Sequence, residues 1–134
     1  RYQIDAWIAQ EVAIGHPVAF IIESLEGERV GLAVLSDVQP IDRSAEISIF
    51  LESRHRGRGF GADALETLVD AAFHQWNVHR LTVRTEEHNL AAQRFFLAHR
   101  FALEGRMREA RFIDGAWHDI LLFGRVRDET EPRS

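Results

Sequence analysis

Apolar residues recur along this chain with two different periods, and the switches between them mark out its elements. Within residues 2–14, Ile4, Trp7, Ile8 and Val12 fall at helical spacing and Gly15 follows as a stop, which predicts a core-facing amphipathic helix. Pro17 opens a short apolar strand over 18–23, and a turn at Glu26-Gly27-Glu28 leads into a second strand over 30–35, so the pair reads as a hairpin. Residues 37–44, with Pro40, read as a loop. A third strand spans 45–52. The helix after it, over about 59–76, sets Leu65, Leu68, Val69, Ala72 and Phe73 on one face.

Residues 80–85 alternate with period two and predict a strand, and Asn89 is a good N-cap for a helix over 90–99 that carries Phe95 and Phe96. Two strands over 106–113 and 116–125 flank Asp114-Gly115, a strong hairpin signal. The order is helix, hairpin, strand, helix, strand, helix, hairpin. That order predicts an α+β fold, because a Rossmann domain would keep alternating strand and helix. One domain over 1–127 is expected, followed by a charged tail over 128–134 that frays. The chain opens on Arg1 rather than Met, which leaves room for an upstream segment.

Composition narrows the classes. A length of 134 residues with 28% charged and 46% hydrophobic residues is that of an ordinary globular domain. No run of about eighteen apolar residues exists, so no membrane span is expected, and no export signal is visible. Absence of cysteine excludes disulfides and thiol nucleophiles and accords with a reducing, cytoplasmic setting. A net charge of −5 argues against nucleic acid as the main partner and accords with a cationic substrate. None of the seven histidines forms a ligand pair of the H-x-x-x-H kind, so no metal is expected.

The chemistry concentrates after the third strand, in Ser53-Arg54-His55-Arg56-Gly57-Arg58-Gly59-Phe60-Gly61. Glycines let the backbone turn sharply and approach a ligand, and a helix start offers unpaired N–H groups at the positive end of its dipole. Interleaved arginines add fork-shaped donors. Together they predict a diphosphate cradle. A Walker loop is excluded, since the chain has no lysine. Gly59-x-Gly61-x-x-Ala64 also fits the dinucleotide fingerprint, with Glu86 or Glu87 at the spacing of a ribose ligand, although a basic segment separates strand from glycines. A plain flexible turn on a solvated face is the third reading.

These residues resemble the GNAT superfamily of acyl-CoA-dependent N-acetyltransferases. Arg56-Gly57-Arg58-Gly59-Phe60-Gly61 matches that family's Arg/Gln-x-x-Gly-x-Gly/Ala motif. Asn89-Leu90-Ala91-Ala92, then Phe95-Phe96 and Phe101, matches its second feature. Glu104-Gly105-Arg106, Asp114-Gly115, Trp117 and Asp119 look like the branch that acetylates ribosomal-protein N-termini and polyamines. The resemblance covers roughly residues 18–125. It implies a mostly antiparallel central sheet flanked by helices, with a splayed central strand pair, and acetyl-CoA as co-substrate. It also implies a primary amine as acceptor, attacking in a ternary complex.

On that resemblance, Arg56, Gly57, Arg58, Gly59, Phe60 and Gly61 bind the diphosphate. Backbone groups of Ile49, Phe50 and Leu51 hold the pantetheine arm, Asn89 contacts it, and Phe95 or Phe96 lines the thioester channel. A second copy of the chain, as a homodimer, is allowed. Three departures stand out: Arg100 occupies the usual glycine before Phe101, residues 1–17 do not account for the family's opening strand and helix, and Phe96 replaces a proton-donating tyrosine. A thiol pKa of about 8.5 still makes the thiolate a tolerable leaving group.

The general base stays open. Glu46, on the third strand, is the first candidate, with a solvent-facing or arginine-paired carboxylate as the plain alternative. Glu86, Glu87 and His88 are the second set. A non-catalytic acyl-CoA-binding module is the competing function. Phe112 and Trp117 are candidates for an acceptor wall, although aromatics in strands usually enter the core.

Overall fold

The computed structural model describes residues 2–4, 17–52 and 59–128, and it divides the chain into two compact units, 1–81 with 126–134, and 82–125. Its elements in chain order are β1 (Tyr2–Ile4), β2 (Val18–Ser24), β3 (Arg29–Gln39), β4 (Ser44–Leu51), α1 (Phe60–His74), β5 (Arg80–Glu86), α2 (Leu90–Ala98), β6 (Ala102–Ile113) and β7 (Ala116–Val126). The expected mixture of helices with a mostly antiparallel sheet is found, and of the three expected helices those over 59–76 and 90–99 appear as α1 and α2.

In the first unit, β1, β2, β3 and β4 form an antiparallel meander in that order. Strand alternation sends Val18, Phe20, Ile22, Ala33, Leu35, Ala45 and Ile47 inward. α1 lies against β1 and β4 and buries Ala64, Leu65, Leu68, Val69, Ala72 and Phe73, nearly the face its spacing predicts. Phe20 also stacks on Trp76 just beyond α1, with ring centroids 5.3 Å apart.

Three expectations are corrected in this unit. Residues 2–4 are not helical: they pair with β2, Tyr2 opposite Ser24 and Ile4 opposite Ile22, so a long-range ladder overrides a local periodic signal. The rest of that predicted helix, residues 5–16, lies outside the described residues. β3 continues through Gln39 instead of ending at residue 35, because an irregularity after Ser36 carries the pairing on to Gln39 opposite Ser44. Asp37 takes a φ of 50° there and its carboxylate accepts from Gln39 Nε2 at 2.7 Å. The loop expected over 37–44 therefore shrinks to a tight turn. Arg43 in that turn accepts from His79 N–H at 2.6 Å, and its own Nε donates to the Asn77 carbonyl at 2.9 Å, tying the turn to the segment after α1.

In the second unit β7 lies between β5 and β6. Asp114 and Gly115 both have positive φ, 50° and 79°, the backbone that a two-residue hairpin turn requires. β6 starts at Ala102, four residues before the expected start, and nearly every one of its residues is exposed. Two irregularities bend it against β7, one between Leu103 and Gly105 and one between Met107 and Arg111. Phe112 and Trp117, the acceptor-wall candidates, do not enter the core: they are 61% and 58% exposed and pack edge-on to each other at 5.1 Å.

α2 ends where the sequence departs from the family's glycine, yet it closes by the usual route. Arg100 takes a left-handed φ of 67°, Phe101 N–H donates to Phe96 O at 3.0 Å, and Arg100 N–H reaches Leu97 O at 3.4 Å. The Phe96 and Phe101 rings then meet edge-on at 5.5 Å, the apolar contact that accompanies this closure. A non-glycine residue simply bears the strain.

Candidate active site

In the first unit the candidate residues lie at the end of β4 and the start of α1. Ile49, Phe50 and Leu51 pair with Ala33, Leu32 and Gly31 of β3. Gly31 is required there by close approach: a Cβ on it would overlap the Phe50 carbonyl oxygen and sit 2.8 Å from Leu51 Cδ2. Phe50 is 60% exposed, so the last turn of this strand presents an apolar ring to solvent.

Gly59 caps α1 with a left-handed φ of 84°, and its carbonyl accepts from Asp63 N–H at 3.1 Å. No side chain caps this helix start. Space around Gly59 is open, with nothing within 4 Å of an added Cβ, so its glycine is demanded by backbone angle and not by a tight fit. A helix start with an open approach is the local geometry that an anion needs. Gly61 follows in the first turn of α1, whereas Phe60 turns inward and is 7% exposed. Phe60 therefore anchors the helix start in the core. Arg56, Gly57 and Arg58 lie outside the described residues.

Glu46 is half-buried on β4, opposite Ser36 of β3.

In the second unit the candidate residues lie at the corner from β5 to α2. Asn89 caps α2 as expected, its Oδ1 accepting from Ala92 N–H at 3.1 Å, which leaves the amide nitrogen as the group a ligand could use. The corner before it is held tightly. Gln93 Nε2 donates to Glu87 O at 2.8 Å, and Glu87 N–H donates to Asp119 O at 3.1 Å. Phe96 is the buried residue of α2, packed on Phe95 at 5.2 Å and on Phe101, and so belongs to this unit's aromatic core.

Glu86 and Glu87 are both engaged by cations from the last hairpin. Arg106 Nη1 stands 3.1 Å from Glu87 Oε2 and 2.7 Å from Asp119 Oδ2, and His118 Nδ1 lies 3.6 Å from Glu87. Arg111 and His88 approach Glu86 at 3.5 and 3.2 Å. Carboxylates with this company tie strands together, which weakens the second set of base candidates. Asp119 also accepts from Glu109 N–H at 2.8 Å. That backbone bond, followed by the Arg106 contact, holds its carboxyl below the ordinary carboxylate value, and the same contact raises the Arg106 guanidinium. Arg106, Met107, Arg108, Glu109 and Asp119 line an open recess of about 670 Å³.

Sequence reasoning missed one polar atom in this unit. Thr85 is 6% exposed on β5, and its hydroxyl has no hydrogen-bond partner among the described residues. A lone polar residue on the apolar phase of an alternating strand was the available signal.

A family model described as an acetyltransferase (GNAT) domain matches residues 1–101. The chain belongs to the GNAT acetyltransferase family. The match begins at residue 1, so the segment before residue 18 also falls within the GNAT span, although the motifs alone placed the resemblance from about residue 18 onward. The dinucleotide-binding reading of Gly59-x-Gly61-x-x-Ala64 falls with this result. Antiparallel closure by β6 and β7 already stood against it.

Among curated GNAT relatives, the ribosomal-protein-serine acetyltransferase of Escherichia coli is 27% identical over 103 residues, covering 77% of this chain and 58% of that protein. A spermidine N(1)-acetyltransferase of Vibrio cholerae is 29% identical over 101 residues, covering 75% of this chain and 58% of that protein. The chain thus spans little more than half the length of these relatives. A solved dodecameric spermidine N-acetyltransferase from Vibrio cholerae shares the fold at a TM-score of 0.78 and 26% identity, over 82% of this chain and 64% of that one. No helix of the described residues is long and apolar enough to cross a membrane.

Proposed function

We propose that this chain is the catalytic domain, over residues 1–127, of an acetyl-CoA-dependent N-acetyltransferase that acts on a primary amine in the cytoplasm. The observation that carries the reading is the left-handed Gly59 opening α1 directly after the glycine–arginine segment, in a chain of the GNAT family. The residues fit the co-substrate. An uncapped helix start with open approach suits a diphosphate, and the Asn89 amide suits the amides of a pantetheine arm. Acetyl-CoA supplies the acetyl thioester. Splaying of the central strand pair, with Ile49, Phe50 and Leu51 offering backbone donors to the thioester oxygen, belongs to the same proposal, and such donors contribute about 3 kcal/mol each.

In the reaction the neutral amine nitrogen forms a bond to the acetyl carbon and then gives up its second proton to solvent, the carbon–sulfur bond breaks, and the thiolate takes up a proton from solvent. An amine with a pKa near 10 arrives as ammonium and must first lose a proton. Glu46 on β4 is the group we assign to receive it, directly or through water. Relatives named for a ribosomal protein and for spermidine support an amine acceptor without choosing between a protein N-terminus and a polyamine. The dodecamer among its structural neighbours supports a homo-oligomer.

Calorimetry with CoA and release of free CoA thiol from acetyl-CoA over an amine panel test the reading together. CoA binding with thiol release is expected. CoA binding with no turnover across the panel would instead make this a non-catalytic acyl-CoA module, the reading that Phe96 in place of a tyrosine favours. Glu46→Gln should cut turnover at neutral pH with CoA affinity nearly intact, and the loss should shrink at high pH. An unchanged pH–rate profile would remove Glu46 from the mechanism.

A further inference from the structure

β6 is an edge strand of the second unit, exposed along nearly its whole length. It also gathers large apolar side chains outside any core: Leu103 at 58% exposure, Met107 at 38% and Phe112 at 61%, with Trp117 of β7 beside Phe112. An edge of this kind invites pairing unless something covers it.

The sequence of the strand says what the cover is. Ala102-Leu103-Glu104-Gly105-Arg106-Met107 and Arg108-Glu109-Ala110-Arg111-Phe112-Ile113 are chemically complementary when one copy is read backwards against the other. Leu103 then meets Phe112, Glu104 meets Arg111, Gly105 meets Ala110, and Arg106 meets Glu109. A two-fold axis crossing the strand between Met107 and Arg108 brings about this pairing, whatever the local path of the backbone near the axis.

The bends in β6 reinforce it. Residues nine apart on a regular strand point to opposite faces. Here Leu103 is opposite Phe123 and Phe112 is opposite Trp117, six residues apart on β7, so the two irregularities return Leu103 and Phe112 to one face. We infer that β6 is the contact surface for a second copy of this chain, in an isologous dimer whose axis passes between Met107 and Arg108. The dimer is held by reciprocal Leu103–Phe112 contacts and flanked by Glu104–Arg111 pairs. This inference is independent of the catalytic reading.

The chain has no cysteine, so engineered thiols report on the contact without background. Under mild oxidation the double variant L103C/F112C should form a covalent dimer on a non-reducing gel at least about tenfold faster than either single variant, since only it places unlike thiols together across the axis. An internal disulfide is out of reach for residues that far apart on one strand. By light scattering at tens of micromolar the unmodified protein should be dimeric or a multiple of it. Glu104→Arg should weaken self-association at least about tenfold. A monomeric unmodified protein, an assembly indifferent to the charge reversal, or equal cross-linking by single and double variants would each overturn the inference. A monomer would leave this edge to solvent or to a different protein.

Discussion

The two units hold themselves together by different means. In the first, β2–β4 and α1 enclose Phe20, Ile22, Leu35, Ile47, Leu65 and Leu68 with almost no accessible surface. In the second, the aromatic cluster of Phe95, Phe96 and Phe101 is small, β6 is open, and ionic and capping contacts join the β5–α2 corner to the hairpin. Burial of apolar area is indifferent to pH and tolerant of salt, whereas exposed ion pairs respond to both. Sensitivity to charge should therefore reside in the second unit and sensitivity to side-chain volume in the first.

The largest effect tests the volume half of that contrast. Phe20 is fully buried and stacks on Trp76. Phe20→Ala should destabilise the protein by about 3–5 kcal/mol in urea titration, through lost transfer energy and the cavity left behind. A cost below about 1 kcal/mol would mean that the first unit is not held by its core, and the contrast would fail.

The same contrast explains which features were legible in the sequence. Local signals survived. The apolar stripe of α1, the Asn89 cap and the Asp114-Gly115 turn each depend on a few neighbouring residues, and each is found near its expected place. Features settled by distant partners did not survive. Residues 2–4 become a strand because β2 is available to pair with them, and β3 runs past its apolar segment because β4 continues opposite it. The Phe60 side chain, placed in the motif by sequence alone, turns into the core, and Phe112 and Trp117, candidates for an acceptor wall, stand outside the core that strand aromatics usually enter. The engagement of Glu86 and Glu87 by Arg106, Arg111 and His118 needed the hairpin to fold back, which no spacing along the chain reveals.

An intermediate effect tests strain in the second unit. Arg100 adopts a left-handed conformation that costs a non-glycine residue about 1–2 kcal/mol. Arg100→Gly removes that cost and returns part of it as unfolded-state entropy, so a net gain of about 0.5–1 kcal/mol is expected by thermal or urea unfolding. Arg100→Ala keeps the Cβ and should not show this gain. If alanine stabilised as much as glycine, the effect would come from losing the arginine side chain and not from the backbone.

The smallest effect isolates charge. Asp119 is depressed from its ordinary value near 3.8, first by the Glu109 N–H and then by Arg106. A carboxylate with a lower pKa in the folded than in the unfolded chain binds fewer protons when folded. Its stabilising contribution is therefore complete above the unfolded value, and it fades as pH falls below about 4 towards the depressed folded value. Both partners are solvent-exposed, so the contribution is modest and weakened by salt. Asp119→Asn keeps an acceptor for Glu109 N–H but loses the charge facing Arg106. The difference in melting temperature between the original protein and this variant should be flat from pH 7 to 5 and shrink below pH 4, and added salt should reduce the plateau. The same pH series on Phe20→Ala should show a constant deficit, because no titrating group is involved. A pH-dependent deficit for Phe20→Ala, or a pH-independent one for Asp119→Asn, would show that the two units are not stabilised by the separate means argued above.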